Sequence, residues 1–228
     1  MKKLVVLTGA GMSADSGIAT FRDSNGLWEN HRVEDVASPE GFSKNPELVL
    51  DFYNQRRKNA RDSTPHSGFF DLVRLEEQFE VTIITQNIDD LHERAGSSHV
   101  LHLHGEILKA RSTQDPNLII PWTKDNLNLG DLGPDGAQLR PHIVWFGEAV
   151  PMLEEAIPYV AEADELLIIG TSLQVYPAAS LHQFTHAFCT KSFIDPNAHL
   201  MAGSDFHLFS ETAKLGIAVW AKEMGIKF

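Results

Sequence analysis

The chain has 228 residues, of which 43 % are hydrophobic and 22 % charged, the balance of a globular protein with enough apolar material for a sizeable core. Its formal net charge of −12 argues against nucleic acid as the main ligand, and a single cysteine, Cys189, excludes an internal disulfide framework and every multi-cysteine metal site. The opening apolar run is too short for a signal peptide, and no segment approaches the roughly 20 apolar residues of a membrane span, so we expect a cytoplasmic protein with no membrane partner.

Short apolar runs alternate with amphipathic segments along the chain. The runs predict buried parallel strands over residues 4–7, 81–85, 166–169 and 192–194. The amphipathic segments predict helices over residues 46–60, 67–78 and 153–163. Asn45 followed by Pro46 is a favourable start for the first helix. This alternation predicts an α/β fold with a parallel sheet covered by helices on both faces, and the Pro-, Gly- and Asp-rich stretch 112–138 predicts a small loop-rich insertion.

Two predicted strands end in small residues that suit a phosphate. The first strand runs into Gly9-Ala-Gly11, where glycines would let the backbone approach a phosphate at the start of a helix. The spacing is not that of the dinucleotide fingerprint, and a tight strand–helix turn without a ligand explains the glycine pair equally well. A later strand ends in Gly170-Thr-Ser172. Because ligands bind at the carboxyl ends of parallel strands, both segments indicate one crevice.

Polar side chains follow the strand predicted at 81–85. Gln86, Asn87 and Asp89 lie where this strand opens, and such groups can bind the hydroxyls and carboxamide of a nicotinamide riboside. His102 and His104 then alternate on one face of an extended segment. A metal site is disfavoured because no third ligand follows at a suitable spacing. We interpret His102 as structural and His104 as a general base.

Five ordered motifs over nearly the whole chain resemble the sirtuin family: the segment from Gly9 to Arg22, Thr85-Gln-Asn-Ile-Asp89 with Leu91-His92, His104-Gly-Glu106, Trp145-Phe-Gly-Glu148 and Gly170-Thr-Ser172. The resemblance implies an NAD-dependent protein-lysine deacylase that acts on acylated-lysine proteins or peptides and releases nicotinamide and O-acyl-ADP-ribose. It also implies a single catalytic domain with a Rossmann-like large part, about residues 1–25, 62–108 and 141–228. A small part would be formed by about residues 26–61 and 109–140.

The family pattern also implies roles for individual residues. It makes His104 the catalytic base, supported by Asn87 and Asp89. The implied NAD-binding residues are Gly9, Ala10, Gly11, Phe21, Arg22, Gln86, Asn87, Ile88, Asp89, Gly170, Thr171, Ser172, Asp195 and Ala218. The family usually has Asn where this chain has Asp195, and Gly216-Ile-Ala218 resembles a late loop on the adenine side. The implied edge for strand addition by the substrate backbone is Val144, Trp145, Phe146 and Gly147.

Tyr53 and Arg56 lie at positions i and i+3 of the first predicted helix and so share a face. A phenol and a guanidinium can together hold a carboxylate. The pair resembles the Tyr-x-x-Arg pair of bacterial and mitochondrial sirtuins that remove succinyl and malonyl groups, and Ala37 matches the small residue that widens their pocket. On composition alone, Arg56 in the run Arg56-Arg57-Lys58 would be a solvated helix face. With the resemblance, we predict removal of succinyl and malonyl as well as acetyl groups.

The family's small part normally carries two cysteine pairs, whereas residues 112–140 hold neither cysteine nor histidine. We therefore predict no structural zinc and Cys189 as a packing residue. The insertion would either pack through residues 118–122 or be disordered. Two other functions stay open: ADP-ribosyl transfer, and a non-catalytic sensor of NAD or ADP-ribose. The presence of His104, Asn87, Asp89 and Arg22 disfavours the sensor.

Overall fold

The computed structural model describes residues 1–19 and 27–227. The strands of the described residues are, in chain order, β1 (Lys2–Thr8), β2 (Leu27–Trp28), β3 (His31–Arg32), β4 (Phe79–Thr85), β5 (Val100–His102), β6 (Gly105–Ser112), β7 (Ile119–Pro121), β8 (Leu139–Ile143), β9 (Glu165–Ile169), β10 (Thr190–Ile194) and β11 (His207–Phe209). The helices are α1 (Gly11–Ala14), α2 (Val33–Val36), α3 (Pro39–Lys44), α4 (Pro46–Asp62), α5 (Ser67–Leu75), α6 (Leu91–Ala95), α7 (Met152–Ala161) and α8 (Ala213–Glu223). Two 3₁₀ segments span Ala178–Phe184 and Ala198–Met201.

The main sheet is parallel. Its order, within the described residues, is β11-β10-β9-β1-β4-β5. With these strands renumbered along the chain the order is that of the doubly wound dinucleotide fold, so the predicted α/β architecture is confirmed. The chain leaves β1 in one direction for β4 and returns on its other side at β9. This reversal makes the carboxyl ends of β1 and β9 the expected ligand crevice.

Helices cover both faces of this sheet because successive side chains of a strand point to opposite sides. Leu4 and Val6 of β1 pack into one buried cluster with α5 and α8, whereas Val5 and Leu7 pack into another with α7 and the 3₁₀ segment Ala178–Phe184. The helices predicted at 46–60, 67–78 and 153–163 appear as α4, α5 and α7. As expected, the Asn45 side chain caps α4 by accepting a hydrogen bond from Leu48 N.

The prediction of a loop at residues 216–218 is wrong. These residues lie inside α8, whose buried residues are Ala213, Gly216, Ile217, Trp220 and Ala221. That spacing is the stripe of an amphipathic helix, and it docks on the sheet, where Trp220 Nε1 donates to Ser192 Oγ at 3.0 Å. Ala218 faces outward on this helix and is exposed.

The stretch predicted as a loop-rich insertion contributes to an antiparallel sheet of order β7-β6-β8. This sheet begins at Gly105 and ends at Ile143, so the expected boundaries near 108 and 141 fall inside strands. Helix α4 fastens it to the rest of the chain. Asn54 forms hydrogen bonds with both the amide and the carbonyl of Leu127, and Arg57 Nε donates to Ile107 O at 3.0 Å.

Cys189 is buried against the α7 face of the main sheet, in agreement with the predicted packing role, and burial raises the pKa of its thiol to about 11. Among the described residues, no helix combines the length and the apolar character needed to cross a membrane.

Candidate active site

The glycine turns that follow β1 and β9 pack against each other. Gly9 N donates to Ile169 O at 3.0 Å, and Gly11 N donates to Gly170 O at 2.8 Å. A Cβ at Gly11 would lie 2.7 Å from Gly170 Cα, and Gly170 itself has a φ of +61°. These glycines are therefore required by the backbone-to-backbone contact, whether or not a phosphate also binds there.

A buried hydrogen-bond network joins the first glycine turn to the polar loop after β4. Asn87 Nδ2 donates to Gly9 O and to Ser13 Oγ, both at 3.0 Å, and Ser13 Oγ donates to Asp89 Oδ2 at 2.9 Å. Burial raises the pKa of Asp89, while the Ser13 hydroxyl opposes that shift. Because both amide protons of Asn87 are engaged, the group it offers a ligand is its carbonyl oxygen. Ser13 was not among the predicted site residues, although it follows Gly11 by only two positions.

The other predicted cofactor residues line the carboxyl edge of the sheet. Gln86 Nε2 donates to Thr171 Oγ1 at 3.2 Å and so connects the loops after β4 and β9, while Ser172 beside it is exposed. Asp195 directly follows β10 and accepts a hydrogen bond from Asn197 N at 2.8 Å. Ala10 precedes α1, and Ile88 is half-buried beside Asn87. Phe21 and Arg22 lie outside the described residues.

His104 is held in one tautomer. Its Nδ1 lies 3.1 Å from Gln86 O, and because a carbonyl only accepts, Nδ1 carries the proton. Burial lowers the pKa of the ring below its usual value, which the Gln86 carbonyl only partly offsets. The ring is therefore neutral near pH 7 and presents the lone pair of Nε2, which makes no hydrogen bond to the described residues. This is the form in which an imidazole acts as a base.

His102, by contrast, has both ring nitrogens engaged, as its predicted structural role requires. Nδ1 lies 3.0 Å from Asn87 O and Nε2 lies 2.7 Å from Glu93 Oε1. Although burial disfavours the charged ring, the hydrogen bond and the charge of Glu93 raise the pKa of His102. The two histidines contact consecutive carbonyls of one loop, which confirms the predicted common face.

The predicted peptide edge follows β8 as an irregular segment rather than a strand. Val144 N donates to His104 O at 2.9 Å, and Phe146 N donates to Ala37 O at 3.0 Å. Trp145 N donates to Glu148 Oε2 at 2.7 Å, and this carboxylate also pairs with Arg111 and Arg140. The amides of these three residues are therefore not available to a substrate. A substrate strand could pair here only with carbonyl oxygens and with the amide of Gly147, so it would form fewer hydrogen bonds than the predicted strand addition requires.

Ala37 and Tyr53 lie with Trp145 in one buried apolar cluster. The Tyr53 hydroxyl accepts a hydrogen bond from Trp145 Nε1 at 3.0 Å, and burial raises the pKa of this phenol. Arg56 is not on a solvated helix face, because its side chain is only 10 % exposed and stacks 4.2 Å from the Phe52 ring centroid. The structure thus removes the solvated alternative for Arg56 but keeps the Tyr53 hydroxyl engaged elsewhere.

The residues of the small antiparallel sheet do not fit a zinc ion. Ser112 begins the segment where the resemblance expects the first cysteine pair, and its hydroxyl donates to Asp135 while accepting from the amides of Gln114 and Asp115. Nowhere in residues 1–19 and 27–227 do three or more His, Cys, Asp or Glu side chains cluster as metal ligands. Zinc prefers thiolate and imidazole ligands in a tetrahedron, and a hydroxyl bonded to a carboxylate supplies neither.

Comparison with known proteins identifies the family to which the chain is similar. Residues 9–177 match the model of the Sir2 family. The chain is 61 % identical over 203 residues to a protein of Helicobacter pylori strain 26695 named NAD-dependent protein deacylase, covering 88 % of each chain. It is 54 % identical over 201 residues to a Bacteroides thetaiotaomicron protein of the same name, covering 86 % of each.

Solved structures agree with these relatives. A crystal structure of a Sir2 homologue–NAD complex superposes with a TM-score of 0.86 at 36 % identity, covering 98 % of this chain and 90 % of that one. A Sir2–p53 peptide–NAD+ structure gives 0.79 at 29 % identity, covering 99 % and 94 %. With a family match over most of its length and relatives above half identity, the chain belongs to the Sir2 family.

Proposed function

We propose that this protein is an NAD-dependent deacylase of acylated lysine in proteins or peptides. The observation that carries the proposal is the neutral His104 imidazole, whose Nδ1–H is fixed by the carbonyl of Gln86, the residue whose side chain also bonds Thr171 after β9. The curated relatives named NAD-dependent protein deacylase support it. A base of this kind is what transfer of an acyl group to a sugar hydroxyl requires, because the hydroxyl must lose its proton.

The residues at the carboxyl edge fit NAD. The Asn87 carbonyl and the Gln86 amide suit a carboxamide or ribose hydroxyls, and the Asp195 carboxylate suits a ribose diol. We assign Gly9, Ala10, Gly11, Gln86, Asn87, Ile88, Asp89, Gly170, Thr171, Ser172 and Asp195 to this binding, with Phe21 and Arg22 on the family pattern alone. When bound, NAD+ supplies the ADP-ribose group that accepts the acyl group.

The chain's own groups then orient and move protons. Ser13 fixes the side chains of Asn87 and Asp89, so the polar wall of the crevice needs little reorganisation as positive charge develops on a substrate. His104 accepts a proton at Nε2, and the imidazolium that forms keeps its Nδ1–H bond to Gln86 O. The substrate backbone lies along Val144, Trp145, Phe146 and Gly147, close to His104 through the Val144–His104 bond.

We further propose that acidic acyl groups, succinyl and malonyl, are accepted as well as acetyl. Arg56 supports this, because a poorly exposed guanidinium near the crevice can form charge-assisted hydrogen bonds with the carboxylate of an acyl group. Ala37 keeps the neighbouring wall small, and Tyr53 lines the same side of α4. For Tyr53 to contact an acyl carboxylate, its hydroxyl would have to share or exchange the Trp145 bond.

The small part is proposed to fold without zinc. It is held together by the Ser112–Asp135 hydrogen bond, by a buried cluster that includes Trp122 and Leu127, and by the hydrogen bonds between Asn54 of α4 and Leu127. We also propose a division into a nucleotide-binding part, about residues 1–25, 62–108 and 141–228, and small-part segments, about 26–61 and 109–140. Separate apolar clusters on the two sheets support it, although a third cluster, with Tyr53, Ile107 and Trp145, joins the two parts.

The function is tested with acetyl- and succinyl-lysine peptides, with and without NAD+. The wild-type protein should release free lysine peptide only with NAD+. The His104→Gln variant, which keeps an amide near the Gln86 carbonyl but no titratable nitrogen, should lose at least 10²-fold in kcat with both peptides. His102→Gln, a matched change two residues away in the chain, should retain most of the kcat. Equal losses in the two variants would remove His104 from its proposed role.

A further inference from the structure

A carboxylate of the chain itself occupies Arg56. Glu29 Oε1 lies 3.1 Å from Arg56 Nη2, with the arginine side chain 10 % and the glutamate side chain 33 % exposed. Glu29 sits at the tip of the β2–β3 hairpin, and Arg56 lies on α4, so the pair joins two elements 27 positions apart in the chain. A glutamate carboxylate is chemically the same group as the end of a succinyl chain.

The backbone holds Glu29 in an unfavourable conformation. The hairpin pairs Trp28 with His31, and both residues between them have positive φ, +49° for Glu29 and +67° for Asn30. Such two-residue turns favour Asn, Asp or Gly at the first position, and a glutamate there violates the local preference. Residues kept in sparsely populated backbone regions concentrate at functional sites. The strain thus directs attention to what the Glu29 side chain does.

Arg56 still has capacity for a ligand. Its Nη1 is buried and has no hydrogen-bond partner among the described residues. Glu29 and Arg56 line a cavity of about 60 Å³ together with Ile88, Asp89 and Ile107. That volume holds only a few waters, and the Glu29 carboxylate already takes the position beside Arg56 Nη2 that an acyl carboxylate would need. The same cavity reaches Ile88 and Asp89, which we assign to the cofactor side of the crevice.

We propose that Glu29 is an internal competitor for the acyl-carboxylate site and must leave Arg56 before an acidic acyl group binds. The proposal rests on the proposed function of Arg56. Glu29 is partly exposed and stands at a hairpin tip, so it can turn to solvent, whereas Arg56 is packed against Phe52 and stays. Neutral acyl groups do not bind Arg56, so displacement of Glu29 does not affect their binding. Glu29 therefore sets the ratio of catalytic efficiencies for acidic and neutral acyl groups.

The expected change in KM depends on the fraction of molecules in which Glu29 is paired with Arg56. If Glu29 covers Arg56 in about 90 % of molecules, the apparent affinity for an acidic acyl group is reduced about tenfold, and removal of the competitor restores it. Glu29→Gln removes the charge and keeps the side-chain shape. It should lower KM for a succinyl-lysine peptide by about three- to tenfold with little change in kcat. The ratio of desuccinylation to deacetylation efficiency should rise by the same factor.

Glu34→Gln is the matched control, because Glu34 is an exposed glutamate a few residues on whose ion-pair partner is the exposed Arg32. It should leave the ratio unchanged. Glu29→Ala and a thermal melt of each variant separate loss of the carboxylate from loss of folding. A higher KM for the succinyl peptide in both Glu29 variants would overturn the proposal, since Glu29 would then orient Arg56 for the substrate. An unchanged ratio in Glu29→Gln, with a lower ratio in Arg56→Met, would overturn the competition and keep the proposed acyl preference. An unchanged ratio in all variants would reject that preference as well.

Discussion

Replacement of Arg56 by methionine isolates the acyl-carboxylate interaction. Methionine keeps an unbranched apolar side chain against the Phe52 ring and removes only the guanidinium. Glu29, which loses its partner, is 33 % exposed and can reach solvent. Helix α4 is anchored by Asn54 and Arg57, and neither bond involves Arg56. We therefore expect Arg56→Met to fold with nearly wild-type stability.

The size of the effect follows from the exposure of Arg56. A hydrogen bond to a charged partner at a poorly exposed site contributes about 1.5–3 kcal/mol. At about 1.4 kcal/mol per factor of ten, this predicts a loss of about 10- to 150-fold in kcat/KM for a succinyl-lysine peptide in the Glu29→Gln background. The loss should be up to about tenfold smaller in the wild-type background, where Glu29 competes for Arg56. An acetyl group has no carboxylate for the guanidinium to bind. Its kcat/KM should change by less than about threefold, the scale of a surface substitution.

The assay compares kcat/KM for succinyl- and acetyl-lysine versions of one peptide at saturating NAD+. Lys58→Met is the matched control, because it removes a positive charge two residues along α4 from a side chain that is 74 % exposed and pairs with Asp62. It should change neither value. Equal losses of both activities in Arg56→Met, or equal effects of Arg56→Met and Lys58→Met on desuccinylation, would refute the assignment of Arg56 to the acyl carboxylate.

Three further predictions concern pH and the small part. Because burial lowers the pKa of His104, kcat/KM for deacetylation should fall on the acid side with a midpoint below 6.5, and a midpoint above 7 would contradict a neutral base. Burial lowers the pKa of His92 to about 3. As the pH falls below 6.5, His92 is therefore protonated in the unfolded chain but not in the native chain, and the native state loses stability. From pH 7 to 5 this should cost about 2 kcal/mol of unfolding free energy, and in urea titrations His92→Gln should lose that dependence; an equal dependence in the variant would reject His92 as its source. Ser112→Ala should lower the unfolding free energy by about 1–2 kcal/mol because two amides and a carboxylate lose their partner, while a chelator should leave the melting temperature unchanged. Stoichiometric zinc in the pure protein, or melting at lower temperature with chelator, would show that the small part is a metal site.

The parts of the fold that repeat a simple period could be predicted from the sequence. The four apolar runs became central strands, and Asn45 with Pro46 marked the start of α4 correctly. Helix α8 is not among the predicted elements, because Gly216-Ile-Ala218 resembles a loop of the family. Its buried positions nevertheless recur every three or four residues, as in an amphipathic helix. Periodicity was the better guide there, since it reports the face that must be buried.

The structure brings the predicted residues after β1, β4 and β9 to one edge of the sheet, but the contacts among them could not be read from the sequence. Ser13 lies 74 positions before Asn87, and only the packing of the loops after β1 and β4 brings them together. The same holds for Glu29 and Arg56, whose contact depends on a hairpin turn with a positive φ at Glu29 that a glutamate does not favour. Such contacts depend on backbone conformations that no local preference selects.

The most direct test of the central proposal is mass spectrometry of a succinyl-lysine peptide incubated with NAD+ and the purified protein. We predict the free lysine peptide, nicotinamide and O-succinyl-ADP-ribose in equal amounts, none of them without NAD+. Labelled ADP-ribose attached to protein would indicate ADP-ribosyl transfer instead. Binding of NAD+ without turnover of either succinyl- or acetyl-lysine peptide would contradict the proposal that His104 and its crevice form a deacylase site.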